Sequence, residues 1–443
     1  MYYLTSIVIL ISVFSTPCLA QSKTKVSVIP LSSDQQMVLV PSTLGIVVNL
    51  NDPDSIKLGN YYADARGIPK RNLIGIHFPR TDFVALHQVR TELKKLQKMG
   101  VFKDVVGFAL AFSKPYRIDE NQSITSAFSQ GLAEIKWHGN CNLTVQNPDR
   151  SAVPGAPLKA KPAFLLSGGA GLDSDIALIQ RGKNADTSNP SGTILLVKTD
   201  DYARSSPREQ GMDRAANEFD DSIRILQISD SLMVPERQVL GFQTGLSKIR
   251  GLDNLTFLPG AYADSLTSFG GALNDNKGQT TIAEIMRAGA TASYGTVREP
   301  CNFAGKFPDP QRLARNYLNG DSILEAYWKS VDMATEGLFI GEPLSRPFSL
   351  FDAEMDGKSL TLKVNRQTVR YAGGIASIDN QENSRSNEIQ LSQAFEVYDV
   401  RSGRPRFIQN ILVPKSAKPG DVIPLAASIN EPMGIVLGVR VLN

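Results

Sequence analysis

Histidine and cysteine are scarce in this chain, three of each among 443 residues, and that scarcity removes several chemistries at once. His77, His87 and His138 are too few for a histidine-rich metal centre, and three cysteines cannot build a four-thiolate zinc site. No P-loop, H-E-x-x-H or G-x-S-x-G elbow occurs, so neither a metal nor a cofactor is indicated. Charge of one sign is also lacking. The formal net charge is +3, and no Lys/Arg block is interleaved with aromatics, so nucleic acid is not an expected partner. Beyond residue 20 no apolar run approaches the roughly 20 residues that a membrane-spanning helix needs.

The longest apolar stretch lies at the amino terminus, in Ile7-Val-Ile-Leu-Ile-Ser-Val-Phe14. It is too short to span a bilayer, and Ala20 offers a small residue before Gln21. Residues 1–20 therefore read as a cleaved signal peptide, although no Lys or Arg precedes the apolar core, and the chain is expected to be exported. Cleavage removes Cys18 and leaves Cys141 and Cys301 as a candidate disulfide in an oxidising compartment, with two buried free thiols as the alternative.

Residues 21–41 are polar and read as a leader. From 42 to 345 strand and helix signals alternate. Strands are expected at 44–50, 72–78 and 104–112, separated by helices at 53–66 and 85–99. A polar, Pro-rich stretch at 146–162 offers a division into two subdomains. Alternation then resumes, with strands at 163–166, 193–197, 239–242 and 255–258 and helices at 172–181 and 209–228. Thr281 with Glu284, and Ser322 with Glu325, are capping boxes that open helices, while Asp309-Pro310 opens another. This order predicts an α/β domain with a mostly parallel sheet flanked by helices. After about Arg346 only short strands with Pro/Gly turns remain, predicting a small C-terminal β-sandwich over 346–443.

The segment Gly289-Ala-Thr-Ala-Ser-Tyr-Gly-Thr-Val-Arg-Glu-Pro-Cys301 reads as a helix end, a buried strand and a loop. Ligands collect past the carboxyl ends of strands in open α/β sheets. The loops 264–271 and 295–301 are thus expected to converge at one rim. Catalytic candidates there are Asp264, Ser268, Glu299 and Cys301; Ser268 lacks a nearby histidine to activate it. Ser265, Tyr294 and Thr296 are ligand-binding candidates, as are Arg66 and Arg117, whose guanidiniums stand at loop ends where they clamp either a ligand or the fold itself. Ser167-Gly-Gly-Ala-Gly171 reads as a tight turn, because Asp173 and Asp175 would repel a phosphate. Trp137-His-Gly-Asn-Cys141 brings a base near a thiol but reads as a structural loop.

Several blocks together resemble one uncharacterised family of exported bacterial proteins. They are Tyr61-Tyr62 with Arg66-Gly-Ile-Pro69, Pro115-Tyr-Arg-Ile118 with Ser123-Ile-Thr-Ser-Ala-Phe128, and Leu266-Thr-Ser-Phe-Gly-Gly271. Arg287-Ala-Gly-Ala-Thr-Ala-Ser-Tyr-Gly-Thr-Val297 with Glu299-Pro-Cys301, Lys306-Phe-Pro-Asp-Pro310, Glu325-Ala-Tyr-Trp328 and Ile340-Gly-Glu-Pro-Leu344 with Arg346-Pro-Phe348 complete the set. More distantly the layout is similar to gingipain-type and caspase-like cysteine peptidases, which implies such a sheet followed by an immunoglobulin-like tail. The histidine and cysteine of those peptidases are missing here: Gly245-Leu246 and Thr267-Ser268 stand in their places.

The sequence therefore leads to an exported, non-catalytic relative of a peptidase fold that binds a peptide or polymer at the cell envelope. The alternatives are a hydrolase working through the 264–301 loops, and a structural surface protein that binds through its β-domain.

Overall fold

The computed structural model describes residues 24–443 apart from 32–36, 120–121, 134–144, 220–222, 229–232, 234, 275, 350, 357–358, 364–392, 414–420, 426–435 and 443. The expected signal peptide, Cys18, His138 and Cys141 lie outside the described residues.

Strand β1 (Thr24–Pro30) precedes β2 (Leu44–Asn49). Helix α1 (Pro53–Arg66) begins where Pro53 has no N–H to lose and the Asp52 carboxylate accepts from Asp54 N. It stops at Gly67, whose φ of 65° places it in the left-handed region that favours glycine. Next come β3 (Leu73–Ile76), β4 (Phe83–Val84), α2 (Leu86–Lys98), β5 (Gly107–Leu110), β6 (Arg117–Ile118), β7 (Gln122–Ser123) and α3 (Ile124–Gln130). Strand β8 (Ala163–Leu165) leads to α4 (Leu172–Ala185), β9 (Thr193–Thr199) and α5 (Tyr202–Glu218). Strands β10 (Ile223–Ile228), β11 (Glu236–Thr244) and β12 (Leu255–Ser265) follow, then α6 (Ile282–Arg287) and β13 (Ala292–Thr296). Helices α7 (Pro310–Leu318) and α8 (Ile323–Ser330) precede β14 (Gly337–Gly341).

Ten of these strands form one sheet, in the order β10-β9-β11-β12-β13-β14-β8-β5-β2-β3. Its neighbours are mostly parallel; β14 runs antiparallel to β13 and meets β8 at the single pair Ile340–Leu165. Both faces are covered. Leu44, Ile46 and Val48 pack into a core with α1, α7 and α8, while Val47 faces a second core with α2, α3 and α6. That double burial is why β2 reads as a continuous apolar run rather than an alternating one.

The 146–162 stretch lies against α8, and the sheet runs through on both sides of it. Asn147 Nδ2 donates to the carbonyls of Trp328 and Val331 at 2.7 and 2.9 Å, and Trp328 Nε1 donates to Asp149.

Two elements differ from expectation. The helix expected at 209–228 is α5, which starts earlier and ends at Glu218, while Ile223–Ile228 is an edge strand parallel to β9. Pro207 sits inside α5 and masked its first turns; the β-branched 223–228 segment suits a strand. Strand β12 runs through Pro259-Gly260, which read as a stop. Beside the pair, the register with β11 shifts between Val239 and Gly241, the kind of irregularity that admits proline and glycine.

Residues 24–30, expected within a leader, are a structural strand. Three of them pair antiparallel with β15 (Asp352–Asp356) and four pair parallel with β20 (Val436–Leu442). With β16 (Ser359–Lys363), β17 (Gln393–Asp399), β18 (Arg406–Val413) and β19 (Val422–Leu425) they give a seven-stranded array, ordered β18-β17-β20-β1-β15-β16-β19.

Candidate functional site

Strands β12 and β13 are parallel neighbours, so their following loops leave the sheet at the same edge. Gly271 N donates to Thr296 O at 2.9 Å, and Thr296 Oγ1 donates to Ser268 O at 2.9 Å. The two loops meet as expected, but they meet backbone to backbone. A Cβ placed on Gly271 would lie 2.4 Å from Gly295 O, closer than real atoms approach.

The side chains expected to act there are mostly occupied by the fold. Asp264 is fully buried and accepts hydrogen bonds from Arg208, from Gln243 Nε2 at 3.0 Å and from Tyr327. Burial holds its carboxyl above the ordinary value, with Arg208 opposing that rise. Ser265 Oγ accepts from Leu246 N and donates to Leu246 O, pinning β12 to the turn after β11. Tyr294 is buried and donates to Lys306 O. Ser268 is half-buried, and Glu299, exposed, accepts from Cys301 N at 2.9 Å within its own turn. Cys301 is disulfide-bonded. The thiol nucleophile considered at that position is therefore absent, because a disulfide sulfur carries no thiolate.

The arginines divide. Arg66, half-buried, is held by Glu342 and Asp186, and Tyr62 donates to the same Glu342 carboxylate. Arg346 similarly pairs with Glu325 and donates to Gly320 O. Lys306 is buried against Glu336 at 2.8 Å, and Lys329 against Asp321 at 2.7 Å. Most charged residues in the blocks that carried the resemblance are thus internal ties between helices, loops and sheet.

Arg117 is the exception. Its guanidinium has no hydrogen-bond or ion-pair partner among the described residues, and its Nε is buried without one. It lies 5.9 Å from the Tyr116 ring centroid, within cation–π range. The turns around it come from three strands. Asp82, after β3, accepts from Lys114 Nζ at 2.9 Å, after β5, and from Asn274 Nδ2 at 2.6 Å, after β12. Burial alone would raise the Asp82 carboxyl, but the hydrogen bonds from Lys114 and Asn274 hold it below its ordinary value. Burial also pushes the Tyr116 hydroxyl up to about 12, so it stays a neutral donor at physiological pH.

The turn after β8 adds a second polar group to this edge. Gly169 lies against Ser113, which follows β5. Ser167 is buried beside the buried Asp175 carboxyl on the first turn of α4, where its hydroxyl and the Gly168 N–H draw that carboxyl down against burial. Burial raises that carboxyl to about 6. The sequence marks Asp175 only as a charge that would repel a phosphate; the packing of α4 against the sheet shows that it is buried. Asp82 and Asn274 carried no motif signal, since they come together from residues 192 positions apart.

Among the described residues no group of three or more His, Cys, Asp or Glu side chains could hold a metal ion, and no helix is long and apolar enough to cross a membrane. The molecule belongs structurally to the α/β class with a large, mostly parallel sheet. Comparison with protein families, with curated proteins and with solved structures found no match to this chain.

Proposed function

We propose that this chain is an exported, non-catalytic descendant of a peptidase-like fold, and that it binds a peptide or other polymer at the cell envelope through the edge carrying Arg117. The observation that carries the reading is the half-buried Arg117 guanidinium, which has no carboxylate partner among the described residues while Arg66 and Arg346 each have one. A guanidinium held over an aromatic ring and short of acceptors suits a carboxylate on the ligand. Lys114, Asp82 and Asn274 beside it supply donors and an acceptor for a polar backbone. Strand β1 with the six C-terminal strands, read as the expected sandwich, would flank this binding domain.

An array of acidic peptides, each with a neutral amide counterpart, tests the reading. Selective capture of the acidic members by the purified full chain supports it. Equal capture of both sets, or cleavage of the captured peptides, overturns it.

One observation favours a second reading, a hydrolase. Ser167, just past the end of β8, stands beside the Asp175 carboxyl, which burial raises to about 6, toward the range of a general base. Under that reading a fluorophosphonate probe labels the native chain, and Ser167→Ala abolishes the label.

A further inference from the structure

A pocket of about 220 Å³ opens between α5, α7 and the turn at 151–153, away from every residue discussed above as a ligand contact. Arg214, Arg312 and Arg315 line it, together with Asp309, Gln311 and Asn316. Each guanidinium is oriented by a carboxylate. Arg214 Nη2 reaches Asp309 at 3.1 Å, Arg312 Nη1 reaches Asp332 at 2.7 Å, and Arg315 is bidentate on Glu218 through Nε and Nη2.

These pairs use only part of each fork. Arg214 Nη1, Arg312 Nη2 and Arg315 Nη1 make no hydrogen bond or ion pair among the described residues. The lining itself holds three guanidiniums against one carboxylate, Asp309, a balance of +2; Glu218 and Asp332 offset it from outside the lining. A single planar carboxylate satisfies one fork. Three guanidiniums lining one space, each with spare N–H groups, call for at least three acceptor oxygens.

We propose that this pocket binds a tetrahedral oxyanion, a sulfate or phosphate group, held by the free edges of Arg214, Arg312 and Arg315. The site does not depend on the reading of the Arg117 edge. The carboxylates that orient the forks also compete with the ligand electrostatically, so affinity is modest and falls with ionic strength.

Calorimetric titration of the full chain with sodium sulfate at low ionic strength tests this. The result expected is saturable binding of one sulfate that weakens steadily with added sodium chloride. Arg315→Gln is expected to weaken it at least tenfold. Because that variant also breaks the Glu218 pair, Val153→Asp serves as the second: it places a carboxylate at the lip, on a residue 46% exposed, and leaves every arginine pair intact. It should also weaken sulfate at least tenfold, with an unchanged melting temperature. A sulfated oligosaccharide run in parallel separates the two sources of the group, since tighter binding than free sulfate assigns a polymer and equal binding assigns the free ion. No saturable sulfate binding, or Val153→Asp binding as tightly as the natural chain, overturns the proposal.

Discussion

Arg208 on α5 and Asp264 at the end of β12 form an ion pair from which solvent is shut out, each side chain being 1% exposed. Two more donors, Gln243 and Tyr327, complete the carboxylate's shell. A carboxylate enclosed in this way ties helices to the sheet rather than meeting a substrate. Asp264→Ala leaves the Arg208 charge buried without its partner and should cost about 3–5 kcal/mol. Urea unfolding measures this, and the double substitution Arg208→Met with Asp264→Leu should recover most of the loss. Equal destabilisation by the single and double changes would contradict the pairing.

The backbone contact between the loop after β12 and the end of β13 leaves no space for a methyl group at Gly271 or Gly295. A Cβ on Gly295 would stand 2.5 Å from Gly271 N, whereas one on Gly168 meets nothing closer than 3.4 Å. Gly295→Ala should therefore destabilise by about 3 kcal/mol or more, and Gly168→Ala by less than about 1 kcal/mol. Thermal unfolding of the two variants side by side provides the comparison.

Asp175 carries a pH signature. Its carboxyl is raised to about 6 by burial, so the native state keeps its proton to higher pH than the unfolded chain does. As pH climbs from about 4 to about 6 the unfolded chain ionises first, and native stability falls through that window. Asp175→Asn removes the penalty. The variant should be more stable than the natural chain at pH 8, by up to about 3 kcal/mol, with the gain gone at pH 4. A difference that is constant with pH would show that Asp175 is not held protonated.

Strand β1 pairs with β15 on one side and β20 on the other. A chain that begins after residue 31 loses both ladders at once and exposes two strand edges. Limited proteolysis should then cut the region after residue 350 faster, while the ten-stranded sheet stays resistant. Cleavage at the natural rate would show that β1 contributes no stability there.

The fold was legible wherever local pattern and burial agree. Helix α1 was bounded correctly by Asp52-Pro53 and Gly67, and the capping boxes at Thr281 and Ser322 open α6 and α8 as expected. Pro207 and Pro259-Gly260 misled because tertiary packing admits them inside elements that they would end in isolation. Strand β1 was missed because its partners lie more than 300 residues away. The candidate site was harder to read. The convergence of residues 264–271 with 295–301 followed from strand order, but the burial and partners of Asp264, Asp175 and Arg117 depend on neighbours from distant elements. Pattern alone does not rank one arginine above another; of the two candidates Arg66 and Arg117, only Arg117 lacks an acceptor among the described residues.

The central claim is that Arg117 anchors a ligand and that no reaction follows. The most direct measurement is calorimetric titration of the natural chain and of Arg117→Gln with the acidic peptide that the array captures best, followed by mass analysis of that peptide. Loss of one charge-assisted contact is expected to weaken binding by about tenfold to a hundredfold, with the natural chain returning the peptide intact. Unchanged affinity in Arg117→Gln, or peptide recovered in fragments, would contradict it.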